Sequence, residues 1–253
     1  MEGTTVENTA RAEARPWTRG LLRGLFWLWG LALVLSIPIF LITASLRGLV
    51  AAPALYEYGF RKYGIAEAVG ISQEDLDRVV GPAFIHYFRS QDELLQIRVA
   101  VRGQERDLFT DSREVIHMRD VKGLIHLDYR LMWGSLAVAV GFVVLGALVA
   151  RRQLASTLAR KALTGAVLTI ALLAAVGIGS LVGFEALFLQ FHLISFSNDF
   201  WQLDPAQNYL IALFPEGFFR DATLLLSTAV LLEAGVLAAA AALFLRWRRG
   251  RAL

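Results

Sequence analysis

The sequence predicts an all-α membrane protein of four transmembrane helices carrying a small extracytoplasmic cap domain, with room in the cap for a short β-hairpin. Three observations predict it. Of 253 residues, 56% are hydrophobic and only 19% charged, with mean hydropathy +0.52, against roughly 45–50% apolar and about a quarter charged in an average soluble domain. Four apolar stretches reach the roughly 20 residues that a helix needs to cross a hydrocarbon core. Basic residues cluster beside these stretches. Arg11, Arg15, Arg19 and Arg23 precede the first, Arg151, Arg152, Arg160 and Lys161 separate the second from the third, and Arg246, Arg248, Arg249 and Arg251 follow the last.

Residues 1–23 read as a polar, disordered cytoplasmic N-terminus. The first span is 24–46, kinked by Pro38. Its apolar run is too long for the h-region of a signal peptide and no small-x-small cleavage site follows, so it reads as a retained helix. The second span, 131–150, is uncharged. A short loop, 151–161, leads to the third span, 162–188, where Gly179-Ser-Leu-Val-Gly183 fits the small-residue pattern of helix contacts. The fourth span, 222–245, holds Glu233 near its middle. The expectation there is a protonated carboxyl hydrogen-bonded inside the bundle. Residues 246–253 form a basic tail. Placing the basic clusters in the cytoplasm puts both termini inside and leaves 47–130 and 189–221 outside.

The cap segment 47–130 has its own signals. Ser72-Gln-Glu-Asp75 is a capping-box-like start, followed at helical spacing by Leu76, Val79, Val80, Phe84 and Tyr87. Leu94–Val101 alternates apolar and polar residues and ends on the turn signal Arg102-Gly103, the pattern of a strand or hairpin. Asp111-Ser-Arg-Glu114 is a second capping box, opening a helix that runs through His117 towards the second span.

Composition also excludes. With no cysteine in the chain, disulfides, thiolate metal sites and cysteine nucleophiles are ruled out. The basic clusters abut apolar segments instead of forming one folded basic surface, so the partner they predict is the lipid bilayer and not nucleic acid. No obligate protein partner is evident.

The outer segments concentrate the chemistry-bearing residues. Ten of the chain's 28 aromatic residues fall between 184 and 219. An interfacial aromatic belt explains several of them but not the interleaved His192, Asn198 and Asp199. His117 and Asp120 share a helix face at i, i+3, the arrangement in which a carboxylate fixes an imidazole for proton transfer. Both His117 and His192 are expected on the same side at similar depth. His86 and His126 read as structural. Two rival uses of these groups are a metal site from His117, Asp120, His192 and Asp199, and a serine nucleophile at Ser195 or Ser197 beside His192. The first lacks HExxH or any compact ligand motif, and the second lacks a Gly-x-Ser-x-Gly elbow.

These residues resemble a known family. His192-x3-Phe196-x-Asn198-Asp199-x-Trp201-x-Leu203-Asp204-Pro205, with Leu210-Ile211 and Phe214-Pro215-Glu216-x-Phe218-Phe219, is similar to the lipoprotein intramolecular transacylases (Lit). So are His117-Met118-x-Asp120-Val121-Lys122 and the stretch from Tyr63-Gly64-Ile65 through Ser72-x-x-Asp75-Leu76 to Tyr87-Phe88. The resemblance covers roughly 55–225, with one departure at Asn208, where an acidic residue is expected. It implies four spans with an outer cap in the bacterial plasma membrane and catalytic histidines at His117 and His192. The reaction it implies moves the sn-2 acyl chain of a membrane-anchored diacylglyceryl-cysteine lipoprotein onto that cysteine's α-amine, giving a lyso-form lipoprotein. No ATP, CoA or nicotinamide motif is visible, and an ester-to-amide isomerisation requires no cofactor and no metal.

On that reading Asp120 orients His117, Asn198 donates to the oxyanion, and Asp199 orients His192 or binds the ammonium group. Phe196, Trp201, Phe219 and Lys122 are the candidate substrate-binding residues. Two other classes use the same residues differently: a membrane metallohydrolase, and a non-catalytic lipid-binding membrane protein.

Overall fold

A computed structural model of the chain describes residues 16–251, with only the backbone described for 16–23 and 180–182. In chain order the elements are α1 (Pro16–Val50), α2 (Pro53–Lys62), α3 (Gln73–Asp75), α4 (Gly81–Arg89), the strands β1 (Arg98–Val101) and β2 (Gln104–Asp107), then α5 (Ser112–Val149), α6 (Leu154–Ser195), α7 (Tyr209–Leu213) and α8 (Glu216–Gly250). Among the described residues, four helices (α1, α5, α6 and α8) are long and apolar enough to cross a membrane. Their outer faces expose Leu28, Leu148, Val140, Leu232, Val236 and Leu243. In water such continuous apolar surface would be an aggregation liability; against acyl chains it carries no penalty.

Within the bundle α1 packs most extensively on α5 and α6 on α8, and α1 joins the two pairs through α6. The Trp29 indole donates to the Val138 carbonyl at 3.0 Å, and Phe26 stacks on Phe142 with centroids 5.0 Å apart. Close approach of α1 to α6 requires Gly165. A Cβ there would come within 2.6 Å of Ile37 and 3.1 Å of the Val34 carbonyl.

Four expectations change in detail. Helix α1 begins at Pro16, so residues 16–23 are helical where an irregular terminus was expected; the expectation for 1–15 falls outside the described residues. The second span is the lower half of one unbroken helix. At 38 residues, α5 is about 57 Å long, roughly twice the hydrocarbon thickness. The charged half from Arg113 to Arg130 therefore stands above the uncharged stretch that follows. Among the described residues Gly179 and Gly183 form no packing seam, because no atom of another element lies within 4 Å of a Cβ built at either. Gly183 instead leaves helical geometry (φ −167°, ψ 74°) and kinks α6. Glu233 does make the expected hydrogen bond, accepting from the Ser45 hydroxyl at 3.0 and 3.1 Å, but at the bundle surface between α1 and α8 and not in its interior.

The cap core is built from Tyr56, Phe60, Leu76, Val80, Phe84, Tyr87, Ile97 and Val99, and it closes on Phe214 and Phe218 from beyond α6. Phe214 meets Phe84 edge-on at 4.8 Å. Ser72 caps its helix, accepting from the Asp75 amide at 3.0 Å. A π-helical turn at Leu76–Val80 then joins α3 to α4. The wider turn shifts the helical phase, so Leu76, Val80, Phe84 and Tyr87 are buried while Val79 points outward. β1 and β2 pair antiparallel with Val101 opposite Gln104. Arg102 and Gly103 both take positive φ (53° and 80°), which a two-residue type I′ hairpin requires.

One carboxylate ties the cap to the bundle. Asp221, near the start of α8, accepts through a single oxygen from Lys62 Nζ at 2.6 Å, the Tyr63 hydroxyl at 2.7 Å and the Tyr58 hydroxyl at 3.1 Å. Burial alone would raise its pKa, but the Lys62, Tyr63 and Tyr58 donors outweigh that and hold the carboxyl below the usual range. A depressed carboxyl stabilises the fold above its ordinary pKa and loses that contribution as pH falls. Asp221→Asn is expected to destabilise the protein at pH 7 by roughly 1–3 kcal/mol, read as a lower melting temperature in detergent. The gap to the native protein should narrow as pH drops below about 4; a gap independent of pH would show that the charge is not what matters.

Candidate active site

Helix α5 carries His117 one turn after its buried Glu114, and α6 ends with His192 in its last turn. The two imidazoles lie 6.1 Å apart between ring centroids, inclined by 30°, and each residue is only 7% exposed. An aromatic cage surrounds them. Phe196 sits 4.9 Å from His117 and 5.5 Å from His192. Trp201 lies 4.9 Å and Phe188 4.4 Å from His192, and Phe219 packs behind Phe188 at 5.1 Å. Phe191 also meets His192 edge-on at 5.4 Å yet is exposed, as are Leu193 and Ile194. The pair is thus dry, yet its immediate neighbours present apolar surface outward.

The two histidines differ in their hydrogen bonding. His192 Nδ1 lies 2.7 Å from the Phe188 carbonyl. A carbonyl only accepts, so Nδ1 carries the proton and Nε2 is the nitrogen left for exchange. His117 Nδ1 is buried with no hydrogen-bond partner among the described residues. His117 belongs to the part of α5 above the uncharged span, where burial, reinforced by the neighbouring His192 and only partly offset by Asp120, pushes its pKa down to about 4. It is therefore a neutral base at physiological pH.

The loop after α6 is fastened across this pair. Asn198 Nδ2 donates to Asp120 Oδ2 at 2.8 Å, and Asn198 Oδ1 accepts from the Phe200 amide at 3.1 Å. Asp120 is thus hydrogen-bonded to Asn198 and not to His117; it acts on the imidazole only through its charge. The Arg113 guanidinium donates to the Asp199 carbonyl at 3.0 Å, so Asp199 is held by its backbone while its side chain stays exposed. Lys122 points away from the pair. Its Nζ donates to the Asp92 carbonyl at 2.6 Å and lies 4.1 Å over the Tyr87 ring, bracing the cap. Phe196, Asn198, Trp201 and Phe219 therefore gather round the histidines, whereas Lys122 does not. His86 pairs with Asp92 on the cap surface and His126 bonds the Phe88 carbonyl. Among the described residues no three His, Asp or Glu side chains are grouped to hold a metal ion.

Sequence reasoning missed Glu114. The Asp111-Ser-Arg-Glu114 pattern suggests a reciprocal capping box. Asp111 does cap, accepting from the Arg113 amide at 2.7 Å. Glu114 instead turns inward, 2% exposed, and accepts from the Leu210 amide at 2.7 Å. Asn208 sits beside it. Its Nδ2 donates to Asp111 Oδ2 at 3.4 Å, its Oδ1 accepts from the Asp204 amide at 3.0 Å, and it also bonds Glu114. An acid at 208 would set a carboxylate between buried Glu114 and exposed Asp111, which like-charge repulsion disfavours. The amide that stands there supplies a donor instead.

The family model described as the lipoprotein intramolecular transacylase Lit matches residues 31–219. The chain is similar in fold to the membrane integral lipoprotein intramolecular transacylase Lit of Bacillus cereus, whose structure was determined in meso. The TM-score is 0.75 at 22% identity, over 90% of this chain and 99% of that one. Two forms of that protein, with one histidine changed to arginine or to alanine, match at TM-scores of 0.71 and 0.70. Their identities are 19% and 21%, over 93% and 92% of this chain and 98% and 99% of theirs. Among curated proteins none matches in sequence. The structural likeness establishes the fold. The family match spans most of the chain, including Glu114, both buried histidines and the loop that covers them, and the chain belongs to the lipoprotein intramolecular transacylase family.

Proposed function

We propose that the protein moves the sn-2 acyl chain of a diacylglyceryl-modified N-terminal cysteine to that cysteine's own α-amine, with His117 and His192 handling the protons. The observation that carries this reading is the pair of buried imidazoles 6.1 Å apart inside an aromatic cage. The substrate contains both donor and acceptor. Attack closes a ring of eight atoms: the amine nitrogen, Cα, Cβ, sulfur, two glyceryl carbons, the ester oxygen and the acyl carbon. Several rotors must freeze at once, and a dry, tightly walled site that folds the glyceryl thioether onto itself supplies that entropy in advance.

The proton inventory balances. The α-amine, with a reference pKa near 8, loses one proton to bulk solvent before it attacks and a second to His117 as the C–N bond forms. The bond between the acyl carbon and the ester oxygen breaks, His117 passes its proton to His192 Nε2, and the departing glyceryl oxygen takes it from there. Both rings end in the state in which they began. His117 suits the base role because burial keeps it neutral, and its Nδ1 has no competing partner. His192 is held in one tautomer by the Phe188 carbonyl, which leaves Nε2 to relay the proton. Asn198 keeps one amide hydrogen beyond its bond to Asp120 for the developing oxyanion. Phe196, Trp201 and Phe219 wall the glyceryl and acyl groups. The basic clusters beside the spans support a site at the outer face of the bacterial plasma membrane, with lateral access from the outer leaflet past Leu193 and Ile194.

The product is an isomer of the substrate, so intact mass is silent. On a synthetic diacylglyceryl lipopeptide, tandem mass spectrometry should locate the acyl chain on nitrogen after treatment with the native protein. His117→Ala and His192→Ala should each slow this by about 10²–10⁴-fold. Acyl chains remaining on glycerol, or released as free fatty acid, would overturn intramolecular transfer.

The depressed His117 pKa sets the pH profile. Above its pKa His117 is already the free base, so its own titration adds no slope there and the rise comes from the substrate amine. The logarithm of kcat/KM should rise with unit slope towards about pH 8, steepening only below about 4. A second unit of slope beginning near 6.5, the ordinary histidine value, that persists in His192→Gln would remove His117 from the base role.

A further inference from the structure

On the far side of α5 from the catalytic pair lies a second cleft, of about 440 Å³, lined by Arg89, Gln91, Gly123, His126, Tyr129 and Arg130. Gly123, His126 and Arg130 fall at i, i+3 and i+7, one stripe of the helix. His117 precedes His126 by nine residues, about half a turn round the axis, so it faces away. The cleft is bounded by the last residue of α4 and by α5 just where the uncharged stretch of that helix begins. Cap and bundle therefore meet there at the level of the outer-leaflet headgroups.

Its charge is unbalanced. Among the described residues neither Arg89 nor Arg130 forms an ion pair or a hydrogen bond, although both are exposed. The nearby carboxylates are otherwise placed: Asp92 pairs with His86 at 3.3 Å, and Asp128 is buried and does not line the cleft. The walls are fixed. His126 Nε2 bonds the Phe88 carbonyl at 3.2 Å, which sets the spacing between Arg89, the next residue of α4, and Arg130, one turn on in α5. Tyr129 packs against His126 at 6.2 Å and is covered by the Arg47 guanidinium at 4.8 Å, giving the cleft an aromatic side wall.

We propose that this cleft binds the phosphate of an anionic outer-leaflet phospholipid, with Arg89 above and Arg130 below donating to its oxygens and Tyr129 beside the glyceryl group. Guanidinium forks match phosphate oxygens and are under-used here. A diacylglyceryl-cysteine carries no phosphate, so the cleft is chemically distinct from the substrate site. Its effect is to seat the cap against the headgroup layer. The inference does not depend on the proposed reaction, since its readout is binding.

The test uses the full chain purified in detergent and offered phosphatidylglycerol and phosphatidylcholine of identical acyl chains in equal amounts, with retained lipid read by native mass spectrometry. The native protein should prefer phosphatidylglycerol by roughly thirtyfold, about fivefold per arginine beside a headgroup, and Arg89→Gln with Arg130→Gln should bring the ratio close to one. Arg78→Gln, which removes an exposed cap arginine paired with Glu74, should leave the ratio unchanged. Arg130→Glu alone, at an exposed position with no partner to lose, should favour phosphatidylcholine, and this arm stands even where the double variant fails to fold. A native ratio near one, or an Arg78→Gln loss as large as that of the pair, overturns the site. Displacement of phosphatidylglycerol by equimolar inorganic phosphate would assign the cleft to free anions and overturn the lipid reading.

Discussion

The carboxylate of Glu114 is the constraint on which the geometry of the site depends. It lies in the first turn of α5, is almost wholly buried, and accepts from the Leu210 amide. A buried carboxylate left without donors costs several kcal/mol, so the Leu210 amide and Asn208 must stay where they are for the fold to persist. Leu210 and Asn208 open the short α7, and the segment leading to them carries Phe196, Asn198 and Trp201. Fastening its far end to α5 fixes a loop of irregular backbone that would otherwise have no reason to lie across two histidines. The Asn198–Asp120 and Arg113–Asp199 bonds pin the near end to the same helix. The loop that covers the imidazoles is therefore referred to one rigid element.

That element is also what sets the depth of the site. Because α5 runs unbroken from the cap through the membrane, His117 stands about 20 Å along the helix axis from the first residue of the uncharged stretch, and it cannot approach the bilayer without carrying the cap with it. His192 comes to meet it from a helix kinked at Gly183. The upper arm of α6 can lean away from the axis of its lower part, which is how a helix packed chiefly on α8 brings its last turn against α5. Asp221, joined by three donors to α2, closes the same circle from the other side, since α8 starts just after the loop that α7 ends.

Much of this was legible in the sequence because its physical signals are local. Uncharged runs of membrane length, basic clusters beside them, the Ser72 cap and the Arg102-Gly103 turn each specify their structure within a few residues. The pairing of His117 with His192 was legible only in part: topology puts both on one side of the membrane, but His117 lies about 20 Å along α5 from its span, so its depth is set by how α5 and the end of α6 pack. What the sequence did not reveal depends on partners distant along the chain. Glu114 looks like the second half of a capping box until Leu210, 96 residues away, supplies its amide. Asp120 looks like the orienter of His117 at i, i+3, but Asn198 takes its oxygen. Lys122 sits in the family-like motif beside His117, yet the helix turns its side chain onto Tyr87 and Asp92. The glycines at 179 and 183 read as a packing pattern because spacing alone cannot distinguish close approach from a break, and only the empty space around them decides.

A membrane enzyme that rearranges one molecule needs neither a driving cofactor nor a second substrate site. Its difficulty lies in holding a flexible, amphiphilic molecule in one folded shape while moving protons in a dry cage. Rigid helices supply the first requirement, since Phe188 and Phe219 stand on α6 and α8 and the loop that carries Phe196 and Trp201 is fastened to α5. The second follows from asymmetry between two chemically identical side chains. One imidazole is deprived of partners and held neutral by burial, while the other is fixed by a carbonyl at a helix end. On the proposed mechanism that difference, created by environment alone, is what separates the base from the acid.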